Sequence, residues 1–253
     1  MNKKLNNILI SNDDGYKAVG LKVLLNIAEQ LADNVLIVSP KINQSAKSKS
    51  ITIKQNITFR EMSKNFWIVD GTPTDCMIFA LNHLFNKNKP DLILSGINAG
   101  SNIGDEVSYS GTVAAAWEGA VRGIDSIALS QYGGDDKINS YECSQAKGFD
   151  IINYLLTIKS QTPRFYNVNF PFIISSNLEN VRSSFTTLAS QKIADEILFD
   201  DDFSSFMIGR MINDHSSLIN TDLECLKKNK ISITPLSLNL SNNEFLKKMN
   251  HDI

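Results

Sequence analysis

Short apolar runs alternate with stretches that repeat apolar residues at helical spacing through most of the first 170 positions. Residues 7–12 (NILISN) read as a short buried strand. Leu21, Leu24, Leu25, Ala28 and Leu31 then recur three or four apart, which predicts a helix over about 18–32. Residues 35–38 form the next strand, closed by Ser39-Pro40. The rhythm breaks over 41–66. This stretch is polar at first and then places Ile51, Ile53, Ile57 and Phe59 in near alternation, so a loop and an inserted antiparallel hairpin are expected. Residues 66–69 make a strand stopped by Asp70-Gly71. Thr72-Pro73-Thr74-Asp75 opens a helix reaching about Asn86: Thr72 suits the N-cap, Pro73 the first turn, and Asp75 the positive end of the dipole. Strands follow at 91–94 and 127–129. Between them lie a loop rich in Gly, Asn and Ser (95–111) and a helix from about Thr112. A helix over 143–158 and a strand over 165–169 complete the pattern.

Strands alternating with helices predict an α/β, Rossmann-like fold, a mostly parallel sheet with helices on both faces. Residues 1–171 are expected to form this core. Residues 172–253 are less regular and carry β-like elements, including 231–240 (ISITPLSLNL), where Pro235 marks an edge or an end.

Composition changes this picture little. Apolar residues make up 42% and charged residues 21%, as in an ordinary globular chain. Lysine and arginine number 25 against 27 acidic residues, a net charge of −2, which gives no footprint for a nucleic-acid duplex or an anionic membrane. No apolar stretch approaches the roughly 18 residues of a membrane span. The amino terminus lacks the apolar core of a signal peptide. Cys76, Cys143 and Cys225 are odd in number and widely spaced, so neither a disulfide framework nor a thiolate zinc site is indicated, and a cytoplasmic location is expected.

In doubly wound sheets, ligands bind beyond the carboxyl ends of the strands. Three groups of residues should meet there: Asn12-Asp13-Asp14-Gly15, Ser39-Pro40 leading to Asn43-Gln44-Ser45, and Ser95-Gly96-Ile97-Asn98 running on through Gly100, Asn102 and Gly104 to Ser110-Gly111-Thr112. Adjacent carboxylates repel, and a hard divalent cation with oxygen ligands removes the conflict. Asp13-Asp14-Gly15 by itself reads more readily as a polar turn than as a site. The loop 95–112 shifts the balance. Its glycines permit close approach, its end is a helix N-terminus suited to an anion, and Ser110 and Thr112 add hydroxyl donors. It is neither a Walker loop nor a dinucleotide fingerprint. A metal beside a phosphate cradle points to phosphoryl transfer or phosphate-ester hydrolysis, with Asp13 as a base or water-orienting group. A phosphate or nucleotide sensor without turnover, and a sugar-nucleotide transferase, remain open on the same residues. His83, His215 and His251 are scattered without ligand spacing, and Asp200-Asp201-Asp202 reads as a solvated acidic turn.

These stretches together resemble the SurE family of stationary-phase survival proteins, which are 5′/3′-nucleotidases. The likeness rests on 8–20 (ILISNDDGYKAVG), 70–76 (DGTPTDC) and above all 95–119 (SGINAGSNIGDEVSYSGTVAAAWEG), with weaker matches at 167–171 (NVNFP) and 231–236 (ISITPL). The resemblance implies hydrolysis of nucleoside monophosphates and one divalent cation per subunit, magnesium or manganese. That cation would be held by Asp13, Asp14, Ser45 and Asn98, with phosphate on Asn102, Ser110, Gly111 and Thr112. It also implies a homodimer or homotetramer built by exchange of C-terminal elements, and a strand at about 231–236 returning to the core. One departure stands out: where the family usually has Arg-Ser-Gly, this chain has Gln44-Ser45-Ala46. Alanine is disfavoured where glycine takes positive φ. Ser48 and Ser50 are the alternatives to Ser45 as ligand.

Overall fold

Ile8, Leu9 and Ile10 are all fully buried, so the first strand is covered on both of its faces, as a central strand of a parallel sheet must be. The computed structural model describes residues 4–86, 88–135, 137–173, 175–190, 192–213 and 219–247. His215 and His251 lie outside the described residues. In chain order the elements begin with β1 (Leu5–Ser11), α1 (Val19–Leu31), β2 (Ala32–Pro40), β3 (Phe59–Ser63), β4 (Phe66–Val69) and α2 (Pro73–Phe79). Then come β5 (Leu92–Ala99), α3 (Gly111–Val121), β6 (Ser126–Gln131), α4 (Glu142–Thr157), β7 (Phe165–Phe170) and β8 (Ser183–Phe185). The chain finishes with β9 (Lys192–Phe199), β10 (Phe206–Asn213), α5 (Asp222–Lys227), β11 (Ile231–Pro235) and α6 (Asn243–Leu246).

Nine strands form one sheet in the order β3-β4-β2-β1-β5-β6-β7-β11-β8. The pairs from β4 through to β7 are parallel; β3 with β4 and β11 with β7 are antiparallel. The mostly parallel α/β sheet is therefore present. On one face, α1 and α4 pack Leu24, Ile27, Ile152 and Leu155 against Ile8, Ile10, Leu92 and Leu94. On the other, α2, the turn that follows it and α3 pack Met77, Ala80 and Ala115 against Leu9, Val38 and Ile93. Because β2 lies on one side of β1 and β5 on the other, the winding reverses between β1 and β5, and a crevice opens beyond their carboxyl ends.

Several boundaries differ from the sequence pattern. The hairpin forms at the sheet edge from β3 and β4, with Asn65 in its turn at φ +64; Ile51, Ile53 and Ile57 lie in no strand. Their near alternation reflects a loop whose isoleucines divide between solvent and contact with the core. The helix expected to reach Asn86 is α-helical only to Phe79 and continues as a π-helical turn over Ala80–Leu84. β11 stops at Pro235, which cannot donate to a further ladder bond.

The remaining two strands, β9 and β10, pair only with each other among the described residues. The turn between them holds Asp200, whose carboxyl is lowered to about 2 by the Ser205 hydroxyl and neighbouring N–H donors. All three cysteines are buried. No helix among the described residues is long and apolar enough to cross a membrane.

Candidate active site

Asp13 lies two residues beyond the end of β1 and is only 3% exposed. Its Oδ1 accepts the hydroxyl of Thr112, and the backbone N–H groups of Gly111 and Thr112 face its carboxylate. The aspartate therefore sits on the N-terminus of α3. Burial nonetheless raises its pKa above the ordinary value, because the desolvation cost exceeds what those donors return. Contact is close. A Cβ added at Gly111 would stand 2.8 Å from the Asp13 Cβ, 2.9 Å from its Oδ2 and 3.0 Å from the Pro73 ring. Only glycine lets α3 begin this close to both the carboxylate and the first residue of α2.

Asp14 points toward β5. Its Oδ2 accepts the N–H of Ala99 at 2.9 Å, and Asn43 Nδ2 makes a long contact of 3.5 Å to its Oδ1. Asn98 is the neighbour of Ala99, and its amide nitrogen donates to the Gly100 carbonyl at 3.0 Å. The amide oxygen is then the atom of that side chain that could face a cation. Asn12 braces the turn beneath: its Nδ2 donates to the Gly15 carbonyl and its Oδ1 accepts the Ser39 hydroxyl.

Ser45 lies in the exposed outer loop. The loop joins Asp13 through its backbone, since Gln44 donates its N–H to the Asp13 carbonyl at 2.7 Å; within the loop, Ser45 donates its own to Asn43 Oδ1 at 2.8 Å. Ala46 is left-handed at φ +59. The other serines are differently engaged. Ser48 donates its hydroxyl to the Ser108 carbonyl, and the Ser50 carbonyl accepts the Thr72 hydroxyl. Asp75 does more than cap α2. Its carboxylate accepts the N–H and the hydroxyl of Thr52 as well as the Thr72 N–H, so it anchors the far end of the loop.

Ser110 is the N-cap of α3 and accepts the Val113 N–H at 3.1 Å. Its hydroxyl proton stays available, because a hydroxyl accepts and donates through different positions. Asn102 is buried, and its side-chain nitrogen donates to Ser130 Oγ at 2.8 Å. Asn167 and Asn169 of β7 both donate to the Asn102 carbonyl, and Asn169 Oδ1 accepts the Asn102 N–H. The sequence pattern gave no role to these two asparagines. Their signal was available: two amides spaced by two, on one face of an otherwise apolar strand, need buried partners.

Among the described residues, no group of three or more His, Cys, Asp or Glu side chains is placed to hold a metal. A cation here would take two carboxylates and otherwise neutral oxygens. That donor set fits a hard ion such as magnesium or manganese and does not fit zinc. His83 is elsewhere, stacked on Phe79 with ring centroids 5.3 Å apart.

Fold and site together define a doubly wound α/β protein with an all-oxygen acidic site at its switch point, set against a helix N-terminus. The chain belongs to the SurE family: the family model described as "Survival protein SurE" matches residues 8–195. It is 39% identical over 245 residues to a protein of Paramagnetospirillum magneticum named 5′-nucleotidase SurE, covering 96% of this chain and 94% of that one. A protein of the same name from Erythrobacter litoralis is 34% identical over 242 residues, covering 94% and 96%. The crystal structure of the SurE protein from Aquifex aeolicus superposes with a TM-score of 0.82 at 30% identity, over 96% of this chain and 98% of that one.

Proposed function

We propose that this protein hydrolyses nucleoside 5′- and 3′-monophosphates to nucleoside and phosphate in a metal-dependent reaction. The observation that carries the proposal is Asp13: a buried carboxylate seated on the N-terminus of α3, beside a second carboxylate, at the switch point of the sheet. Relatives matched along nearly the whole chain are named 5′-nucleotidases, which supports the same substrate class here.

Asp13, Asp14, Asn98 and Ser45 would hold one magnesium or manganese ion. Such an ion supplies Lewis-acid polarisation of a phosphoryl oxygen and a more acidic water. The chain's own residues do the rest. Thr112 fixes the orientation of Asp13, so its carboxylate is held ready to align an attacking water or to accept its proton. Ser110, the second N–H of the Asn102 amide, and the N-terminus of α3 from Gly111 supply donors and a positive dipole end for the phosphoryl oxygens. Burial of Asp13 keeps bulk water away from that carboxylate.

The C-terminal region, 172–253, is proposed to serve assembly into a homodimer or homotetramer. Ile193, Phe206 and Ile208 of the separate β9–β10 hairpin are each more than 60% exposed, and apolar surface of this kind favours a protein partner.

Phosphate release from a panel of nucleoside monophosphates, with manganese or magnesium and then with EDTA, tests the function. Release that needs metal is expected. Tight nucleotide binding without release would make the protein a sensor and overturn the proposal. Thr112→Ala should weaken inhibition by free phosphate more than it lowers stability.

A further inference from the structure

The segment that delivers Ser110 and α3 to the site has little structure of its own. It runs from Gly100 through a single 3-10 turn, Gly104–Ser108. It is held from outside at several points, one of them a residue 118 positions away. Asp222, the first residue of α5, is 0% exposed. Its Oδ2 accepts the Gly104 N–H at 2.8 Å, while its Oδ1 accepts the N–H of Ala189 at 3.0 Å and of Leu223 at 2.9 Å. Gly104 sits at φ +54, and a Cβ there would stand 2.3 Å from the Ala189 carbonyl oxygen. Loop and C-terminal segment are therefore in backbone contact. A second tether lies alongside. Lys192 donates its N–H to Asp105 Oδ2 at 2.9 Å, and its ammonium reaches the Tyr109 hydroxyl at 3.2 Å.

The choice of residue type is informative. Burial raises the Asp222 carboxyl above its ordinary value despite the N–H donors around it, and raises its neighbour Glu106 as well. A buried carboxylate is costly, so it should bring something a neutral side chain cannot. Both of its oxygens accept, one toward the active-site turn and the other toward the C-terminal segment. Asparagine has only one acceptor oxygen, so its NH₂ would have to face an N–H on one side or the other. From this we infer that Asp222 is a positioning residue of the active site: it fixes the turn 103–109, and through it Ser110 and the start of α3. The C-terminal region is then a working part of the site's phosphate side. The inference rests on reading 110–112 as the phosphate cradle.

The test compares Asp222→Asn with Cys225→Ala in the full-length manganese-loaded protein. Cys225 is buried on the same helix and bonds the Ile231 carbonyl, away from the turn. For each variant one measures the melting temperature, KM and kcat for a nucleoside monophosphate, inhibition by inorganic phosphate, and amide hydrogen exchange over 103–110. Both variants should melt lower. Only Asp222→Asn should weaken inhibition by phosphate and raise KM, each by about tenfold, the scale of one lost buried hydrogen bond. Its kcat should change far less, and exchange over 103–110 should quicken. A folded Asp222→Asn with wild-type inhibition and exchange overturns the inference, as do equal shifts in Cys225→Ala. If Asp222→Asn does not fold, Asp105→Ala loosens the second tether by removing the acceptor of the Lys192 N–H. A smaller shift in the same direction is then expected, and unchanged inhibition and exchange overturn the claim. A wild-type protein that releases no phosphate defeats the functional proposal only. Exchange, measured without substrate, still decides whether Asp222 holds the turn.

Discussion

The two walls of the site are built in opposite ways. The inner wall consists of strand ends and a helix start. Asp13 is buried, is oriented by Thr112, and is pressed against Gly111 so closely that no side chain fits between them. The outer wall is the loop from Lys41 to Thr58, which contains no strand or helix. It is pinned at a few points, by Gln44 to the Asp13 carbonyl, by Ser48 to the Ser108 and Tyr109 carbonyls, and by Thr52 to Asp75. Three of its residues, Ala46, Ser48 and Lys54, are left-handed. The difference teaches that the costly charged group is placed where the fold determines it several times over. The proposed neutral ligand, Ser45, lies where a few hydrogen bonds set the geometry and sequence can drift.

The largest effect should follow from replacing the inner carboxylate. Asp13→Asn removes the charge without changing volume, and burial already disfavours that charge, so the protein should fold normally. Turnover should fall by about a hundredfold or more, the order that loss of one preorganised electrostatic group costs. Wild-type kcat/KM in a folded variant would sink both the assignment and the contrast between the walls.

Gly111→Ala comes next. Its methyl group would land 2.8 Å from Asp13 Cβ, so one of the two elements must shift. Overpacking of this kind costs about 1–3 kcal/mol, and it should also displace Asp13 from its place on the helix end. Thermal melts with and without manganese would show a lower Tm and a smaller metal-induced rise. A melt like that of the wild type would mean that the two elements can separate and that the inner wall yields.

Ser45→Ala tests the outer wall by itself. The serine is exposed, so stability should not change. Loss of one neutral oxygen donor should weaken apparent manganese affinity by about tenfold, the scale of a single hydrogen-bond-sized interaction. An effect as large as that of Asp13→Asn would abolish the distinction between the walls.

The same contrast governs what could be read from the chain. The parallel sheet, the capping box at Thr72 and Asp75, and the aspartates after β1 follow from periodicity and local chemistry, because these signals arise within a few residues. The 51–59 stretch misled because alternation alone does not tell a strand from a loop with isoleucines tucked under it. The partners of Asn102 on β7, and the grip of Asp222 on Gly104, join residues 65 or more positions apart. No local pattern encodes them. What the sequence offers at such places is only a polar residue in a buried strand or at a helix start, and its partner appears when the sheet is assembled.

The smallest effect is the most specific to this chain. Ala46 occupies φ +59, next to Ser45, at the place where the family resemblance expects glycine. A left-handed conformation costs an L-residue about 1–2 kcal/mol, while glycine gives back roughly 0.4–1 kcal/mol through the entropy of the unfolded chain. Ala46→Gly should therefore gain about half to one kcal/mol, a rise in Tm of roughly 1–4 °C for a chain of this size. Because no ligand atom changes, kcat should stay at the wild-type value. Apparent manganese affinity should hold or improve, since the loop would reach its bound shape with less strain. Calorimetry on the metal-free and manganese-loaded protein measures both quantities. A lower Tm would show that residue 46 does not sit in the left-handed region in solution, and that the outer wall carries Ser45 in some other way.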